Sequence, residues 1–367
     1  MLENCFDPMA QNCAFIHIGL AKTGTKSIQF ALAQRRGKLD RAGWFYPNEG
    51  TTTNRSGHHG LAWYLQRASH RHPALQKFDA AAFKSAIAAA SNRNVIISSE
   101  ELGSISNDAT AVQSLLAMFP AHEVFVVVYV REQAELINSL YAQLLKDLGY
   151  PDEIGKFAAR TLALDRFNYS TLLNNWKRFL GKRLIVRPFD ARELRMGDVV
   201  SDFAALLGIE DVLKPLPNER MNTQYNPLQV AVLIGLARLL ARRGERWEAL
   251  SDRHRHIRRL VADILEDSEL AMPESYWGLG PVAVRNVRDH YSASNSAFFL
   301  GTLGRTFEFS AIEKKKRRNV VAYSHLPTEL RKRLEARLIE GLTSGPTIAQ
   351  RASPKPQTFP RDKGRLL

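Results

Sequence analysis

A chain of 367 residues, 45% of them hydrophobic and 24% charged, can bury a large core and suits one large domain or two smaller ones. Its formal net charge of +14 calls for an anionic partner without naming it: nucleotide, sulfated or phosphorylated glycan, nucleic acid or an anionic membrane surface. No stretch approaches the roughly 20 apolar residues of a membrane span. The opening Met1-Leu2-Glu3-Asn4-Cys5-Phe6-Asp7 lacks the basic-then-apolar order of a secretion signal, so a cytoplasmic location is expected. Cys5 and Cys13 fit neither a disulfide framework nor a metal site and read as reduced thiols.

In chain order, the apolar run Cys13–Ile18 predicts a strand, and Thr25–Arg36 a helix. A short segment around Trp44–Tyr46 and the loop Gly50–Ser56 follow, then helices near His59–Ala68 and Asp79–Ser91, a strand at Asn94–Ser98 and a helix near Ala111–Phe119. Glu123–Val130 is apolar without alternation, as a parallel strand covered on both faces would be. Helical patterns return over Glu132–Leu148, Asp152–Thr161 and Tyr169–Leu180, and a last strand spans Arg183–Pro188. Beyond it the pattern is mainly helical, over Asp198–Leu207, Pro227–Arg243, Ser251–Leu265 and Val282–Phe299. The expected fold is α/β, a parallel sheet flanked by helices in a P-loop-like three-layer sandwich, with a mainly helical C-terminal part from about residue 190. One domain is expected over residues 12–325, and a flexible, basic, proline-containing tail over 344–367.

Between the first strand and the first helix lies Gly19-Leu20-Ala21-Lys22-Thr23-Gly24-Thr25-Lys26-Ser27. A glycine-bounded turn leading into a helix presents unpaired N–H groups and the positive end of the helix dipole, which together cradle an anion. A triphosphate loop would need Gly, four residues, Gly, then Lys and Ser or Thr. Here Thr25 occupies the lysine position, Lys26 comes one residue late and Lys22 lies inside the loop. Lys-Thr-Gly-Thr-x-Ser resembles the 5′-phosphosulfate loop of sulfotransferases that use 3′-phosphoadenosine 5′-phosphosulfate (PAPS).

A second constellation follows the strand Val124–Val130: Arg131 at its end and, eight residues on, Ser139. Ligands of open α/β sheets bind outside the carboxyl ends of the strands, so Arg131 should share a crevice with the loop, and the pair could hold a second anion. Two such sites are what a nucleotide phosphorylated at both 5′ and 3′ positions requires. The resemblance to bacterial sulfotransferase-like proteins extends through Val95–Glu100, Ile185–Phe189, Asp202-Phe203, Leu207-Gly208 and Ser294-Asn295. It assigns Lys22, Thr23, Gly24, Thr25, Lys26 and Ser27 to the 5′-phosphosulfate, and Arg131 and Ser139 to the 3′-phosphate. The implied activity is sulfuryl transfer to a hydroxyl, with carbohydrate or glycolipid the first acceptor class. The C-terminal glycine-rich nucleotide motif of the animal cytosolic enzymes is not evident.

Sulfuryl transfer, like phosphoryl transfer, spreads charge over equatorial oxygens, and Lys22 is placed to stabilise it. With Arg rather than a metal-binding Asp at the strand end, no metal is expected. The acceptor hydroxyl needs a base. His58 and His59, in a glycine-rich loop before a helix, are candidates, with His59 favoured; Glu100, at the carboxyl end of the strand Asn94–Ser98, is the competitor, and His17 reads as a packed core residue. The rival readings are a small-molecule kinase and a non-catalytic nucleotide- or polyanion-binding module. The basic runs 238–259 and 314–318 read first as a solvated helix face and a solvated loop; no nucleic-acid motif accompanies them, and peripheral contact with an anionic membrane stays open.

Overall fold

Strands too apolar to alternate end up inside a sheet with both faces covered, and the central strands here follow that rule. In the computed structural model, residues 12–51, 56–66, 78–146, 152–215, 225–245, 252–310 and 317–344 are described. The strands are β1 (Cys13–His17), β2 (Trp44–Phe45), β3 (Asn94–Ser98), β4 (Glu123–Val130) and β5 (Leu184–Pro188). They form one sheet in the order β2-β3-β1-β4-β5, with every neighbouring pair parallel. β1 and β3 are buried at every position and β4 at all but its first, whereas the edge strand β5 alternates between buried and half-buried residues.

The helices, in chain order, are α1 (Thr25–Gln34), α2 (Arg36–Arg41), α3 (His59–Leu65), α4 (Ala80–Ala89), α5 (Ala109–Leu116), α6 (Gln133–Lys146), α7 (Ile154–Ala163), α8 (Tyr169–Leu172), α9 (Asn174–Leu180), α10 (Val199–Leu207), α11 (Pro227–Arg242), α12 (Asp252–Leu265), α13 (Pro281–Leu303) and α14 (Thr328–Ser344). Among the described residues, everything after β5 is helix, turn or loop. On one face of the sheet, Phe15, Ile96 and Val127 pack with Ile28 and Leu32 of α1 and Phe203 of α10. The alternate residues Ile16, Ile97 and Val126 point to the other face, against Leu61, Phe83, Val112 and Trp176. A third core joins α6, α7 and α11 to α14. α13 ties the cores together, with Val284 and Val287 in the helical one and Phe298 and Phe299 against the sheet.

The predicted helix Thr25–Arg36 ends at Gln34, where Arg35, at φ −113° and ψ 15°, separates it from an additional helix, α2. The predicted helix Tyr169–Leu180 is divided at Leu173, at φ −102° and ψ 10°, into α8 and α9. α14 is an addition: Leu330, Leu334, Leu338 and Leu342 recur every four residues, and that stripe packs in the same core as Ile257, Val261 and Ile264 of α12. Residues 311–316 and 345–367, and with them most of the run 314–318 and almost all of the expected tail, lie outside the described residues.

One buried ion pair fastens the sheet to α10. Asp202 is 2% exposed and accepts from Arg187 Nε of β5 at 3.0 Å, the Tyr129 hydroxyl of β4 at 2.8 Å and the Arg195 N–H at 3.1 Å. Removing one partner of such a pair leaves the other charge stranded in a poor solvent. Arg187 keeps some solvent contact, so Asp202→Ala should cost about 3 kcal/mol, near the lower end of such losses, as measured by urea unfolding.

Candidate functional site

Parallel pairing brings the ends of β1, β3 and β4 to one edge, and backbone bonds carry that order past the strands. Leu20 N–H donates to the Tyr129 carbonyl at 3.1 Å and Tyr129 N–H to the Gly19 carbonyl at 2.8 Å, so the loop leaves β1 pinned to β4. On the other side, Ser99 N–H donates to the His17 carbonyl at 3.0 Å and His58 N–H to the Ser98 carbonyl at 2.8 Å. The loop Gly19–Ser27, Arg131, Glu100 and the start of α3 therefore converge on one edge.

The loop is shaped for close approach. Gly24, the N-cap of α1, has φ 78°, and a Cβ there would lie 2.6 Å from Val199 Cγ1. Being glycine, it offers no side-chain acceptor to the first amides of α1, whereas α4, α5, α8, α10 and α11 are capped by Asp79, Asp108, Asn168, Asp198 and Asn226. Gly19 has φ 94°, and a Cβ there would lie 3.2 Å from the Glu100 Cα. Lys22 adopts left-handed backbone at φ 65°, which costs a residue with a side chain about 1–2 kcal/mol. The hydroxyls of Thr23 and Thr25 point inward, both donating to the Leu20 carbonyl, at 2.6 and 3.1 Å. They brace the turn, so any ligand contact from these two residues comes through their backbone. Lys26 is exposed, and Ser27, whose N–H donates to the Gly24 carbonyl, is half-buried.

Arg131 touches the loop directly: its Nη1 donates to the Lys22 carbonyl at 2.8 Å. Its Nε donates to Glu135 Oε2 at 3.0 Å and its guanidinium lies 5.4 Å from the Phe189 ring centroid. The residues that follow explain the spacing to Ser139. On α6 the half-buried or exposed positions are 135, 139, 142, 143, 144 and 146, so Glu135, Ser139 and Lys146 fall on one stripe. Glu135 pairs with Arg131, which in turn reaches the Lys22 carbonyl, so the stripe begins beside the loop. Burial lowers the pKa of Lys22, and the neighbouring Lys26, Arg131 and Lys146 lower it further, against the opposing pull of Glu100. Burial raises the pKa of Glu100, while Lys26 and Lys22 pull it down. The cradle is thus a concentration of cations with one carboxyl, Glu100, beside it.

The two histidines separate cleanly. His58 is fully buried: its Nδ1 accepts from the Ser98 N–H at 3.2 Å and its Nε2 pairs with the Pro47 carbonyl at 3.1 Å, which fixes the Nε2–H tautomer and occupies both nitrogens. It is a structural residue, as is His17, buried with Nδ1 against Ser98 Oγ at 2.9 Å. His59, at the start of α3, is only half-buried and meets Ser99 Oγ through Nδ1 at 2.8 Å. Burial lowers its pKa, Glu101 raises it and Lys26 lowers it, so the imidazole stands within electrostatic reach of the loop. Sequence reasoning included Ser99 and Phe189 only within the segments of the resemblance, with no role for either, and missed Glu135 and Lys146; Glu135, four residues after Arg131 and of opposite charge, carried a local signal. Of the smaller matches, Asn295 exchanges amide hydrogen bonds with Gln133 at 2.8 and 3.1 Å and anchors α13 to α6. Among the described residues, no group of three or more His, Cys, Asp or Glu is gathered as a metal centre would need, and no helix is long and apolar enough to cross a membrane.

No protein-family model and no curated protein matches the chain. Among solved structures, it has a distant likeness to a sulfotransferase from Alicyclobacillus acidocaldarius, with 15% identity, a TM-score of 0.38, and coverage of 65% of this chain and 98% of that one.

The buried histidines set a pH dependence of stability. His17 and His58 resist protonation in the folded chain down to about pH 3, through burial above all, against an ordinary value of 6.5. Between those limits the unfolded chain binds more protons, so their contribution is complete above pH 6.5 and declines as pH falls toward 3, by about 1.4 kcal/mol per pH unit for each histidine. His58→Gln should make that decline shallower by about 1.4 kcal/mol per pH unit, as read from urea unfolding across the range.

Proposed function

We propose that the chain is a sulfotransferase that uses PAPS to sulfate a hydroxyl, with carbohydrate or glycolipid as the acceptor class. The observation that supports this reading is the contact between Arg131 Nη1 and the Lys22 carbonyl at 2.8 Å, which brings the two candidate motifs, 109 residues apart in the chain, side by side. The residues fit the donor. The uncapped first turn of α1 behind Gly24, with Lys22 and Lys26, suits the 5′-phosphosulfate, and Arg131 with Ser139 on the next stripe suits the 3′-phosphate. Arg131 has five N–H donors, and the Lys22 carbonyl and Glu135 take one each.

When bound, the donor supplies an activated sulfuryl group. Lys22 stabilises the negative charge that builds on the departing phosphate oxygen, a role suited to a half-buried ammonium held in a fixed turn. His59 takes the proton of the acceptor hydroxyl through Nε2. That role needs the proton on Nδ1, donated to Ser99 Oγ, so Ser99 sets the tautomer on which the base depends. Glu100, whose pKa burial raises against the pull of Lys26 and Lys22, buttresses Gly19 and tempers the cations of the loop.

The reading is tested by calorimetry and turnover. Adenosine 3′,5′-bisphosphate should bind far more tightly than AMP, and Arg131→Ala should erase most of that preference, a loss of about ten- to a hundredfold. Tighter binding of ATP with Mg²⁺ would favour a kinase, and nucleotide binding without turnover on any acceptor a non-catalytic module. Lys22→Ala should lower kcat by about a hundredfold while leaving much of the nucleotide affinity.

The acidic limb of the kcat/KM profile should lie below the ordinary histidine value of 6.5, because the pKa of His59 is lowered. Glu101 raises that pKa and Lys26 lowers it, so Glu101→Gln should move the limb to lower pH and Lys26→Gln to higher pH. Limbs that do not move would remove His59 from the role.

A further inference from the structure

α6 has a second face. Tyr141, two residues from Ser139 and so on the opposite side of the helix, lines a cleft of about 800 Å³ shared with α7, α11, the first turn of α13 and the segment Arg318–His325. Neither the loop Gly19–Ser27 nor Arg131, Glu100 or His59 is among its lining residues. The volume lies in the range of small-molecule sites, roughly 300–1,000 Å³.

Two glycines create the shape. A Cβ on Gly235 of α11 would sit 2.5 Å from the Tyr323 ring, so its absence lets that ring lie flat on the helix and form part of the floor. A Cβ on Gly278 would sit 2.2 Å from the Tyr276 hydroxyl, so this wall too admits only glycine unless Tyr276 shifts.

The lining is divided in character. Ile234, Leu239, Val320 and Val321 give an apolar wall, and Val320 remains 37% exposed. Arg238, Arg242, Arg318 and Arg331 bring four guanidinium groups against two carboxylates, Glu153 and Glu335, and Glu335 already accepts from the Tyr323 hydroxyl at 2.9 Å. Arg238 and Arg242 are both exposed and lie one turn apart on α11, so that helix brings two cationic side chains to one wall of the cleft. The first turn of α13, whose N-cap Gly280 offers no side-chain acceptor, adds potential of the same sign beside Arg318.

We infer that this cleft binds a small amphipathic anion, its apolar body on Ile234, Leu239, Val320 and Val321 and its phosphate, sulfate or carboxylate head on Arg242 and Arg318. The site is independent of the nucleotide reading, since it shares no residue with the loop. It also gives the basic run 238–259 a partly specific use in place of general solvation.

The test is calorimetry on the full chain with octyl phosphate, octyl sulfate, ethyl phosphate and octyl glucoside. Octyl phosphate and octyl sulfate should bind at least about tenfold more tightly than octyl glucoside, and octyl phosphate more tightly than ethyl phosphate. Arg242 and Arg318 are exposed, so the double variant Arg242→Gln/Arg318→Gln should fold normally. It should lose about ten- to a hundredfold in octyl phosphate affinity while keeping its affinity for adenosine 3′,5′-bisphosphate. Equal binding of octyl glucoside, or an unchanged octyl phosphate affinity in the double variant, would overturn the anionic half of the proposal. Equal binding of ethyl and octyl phosphate would overturn the apolar half.

Discussion

Everything at the candidate site depends on β1 lying between β3 and β4 with all three strands parallel. Parallel pairing puts the loop after β1, the turn after β3 and the arginine after β4 at one edge, whatever their distance in the chain. An antiparallel neighbour on either side would send Glu100 or Arg131 to the opposite end of the sheet. The hydrogen bonds of Leu20 and Tyr129 carry the β1–β4 register past the strand ends, and the Arg131 guanidinium closes it on the Lys22 carbonyl.

That closure has an electrostatic cost which the site partly offsets. Lys26, Arg131 and Lys146 all act on Lys22, with Glu135 paired to Arg131 and Glu100 near the two loop lysines as counter-charges. A cluster of like charges held by backbone geometry destabilises the ligand-free fold and favours whatever anion relieves it. The left-handed backbone of Lys22 is consistent with this: strain of that kind persists where surrounding structure over-determines it and often accompanies function. The buried pair of Arg187 and Asp202, by contrast, lies behind the loop and holds α10, whose Val199 walls Gly24.

The elements that follow from local pattern were legible in the sequence. Glu123–Val130 and Asn94–Ser98 announce interior parallel strands by their unbroken apolar character, and the structure gives them the same bounds. The glycine spacing of Gly19–Ser27 announces a turn into a helix, and Ser139 falls on the same helical stripe as Glu135, the partner of Arg131, which itself precedes α6. What depends on distant contacts was not legible. Nothing near Thr23 or Thr25 says that their hydroxyls turn inward to Leu20, and nothing near His58 says that Ser98 and Pro47 will occupy both its nitrogens while His59 stays half-buried. The strand order depends on which crossovers form, and the breaks at Arg35 and Leu173 fall where neither glycine nor proline marks the residue itself. α14 did carry a signal in its four evenly spaced leucines, but its many charges hide the stripe until α12 is seen against it.

A crystal structure of the protein with adenosine 3′,5′-bisphosphate is the most direct measurement of whether the two motifs form one nucleotide site. The 5′-phosphate should lie over the first turn of α1, within hydrogen-bond reach of the Gly24–Lys26 amides, and the 3′-phosphate should meet Arg131 and Ser139. A nucleotide bound away from the loop, or seated there with its 3′-phosphate in solvent and Arg131 engaged only with Lys22 and Glu135, would contradict the single site.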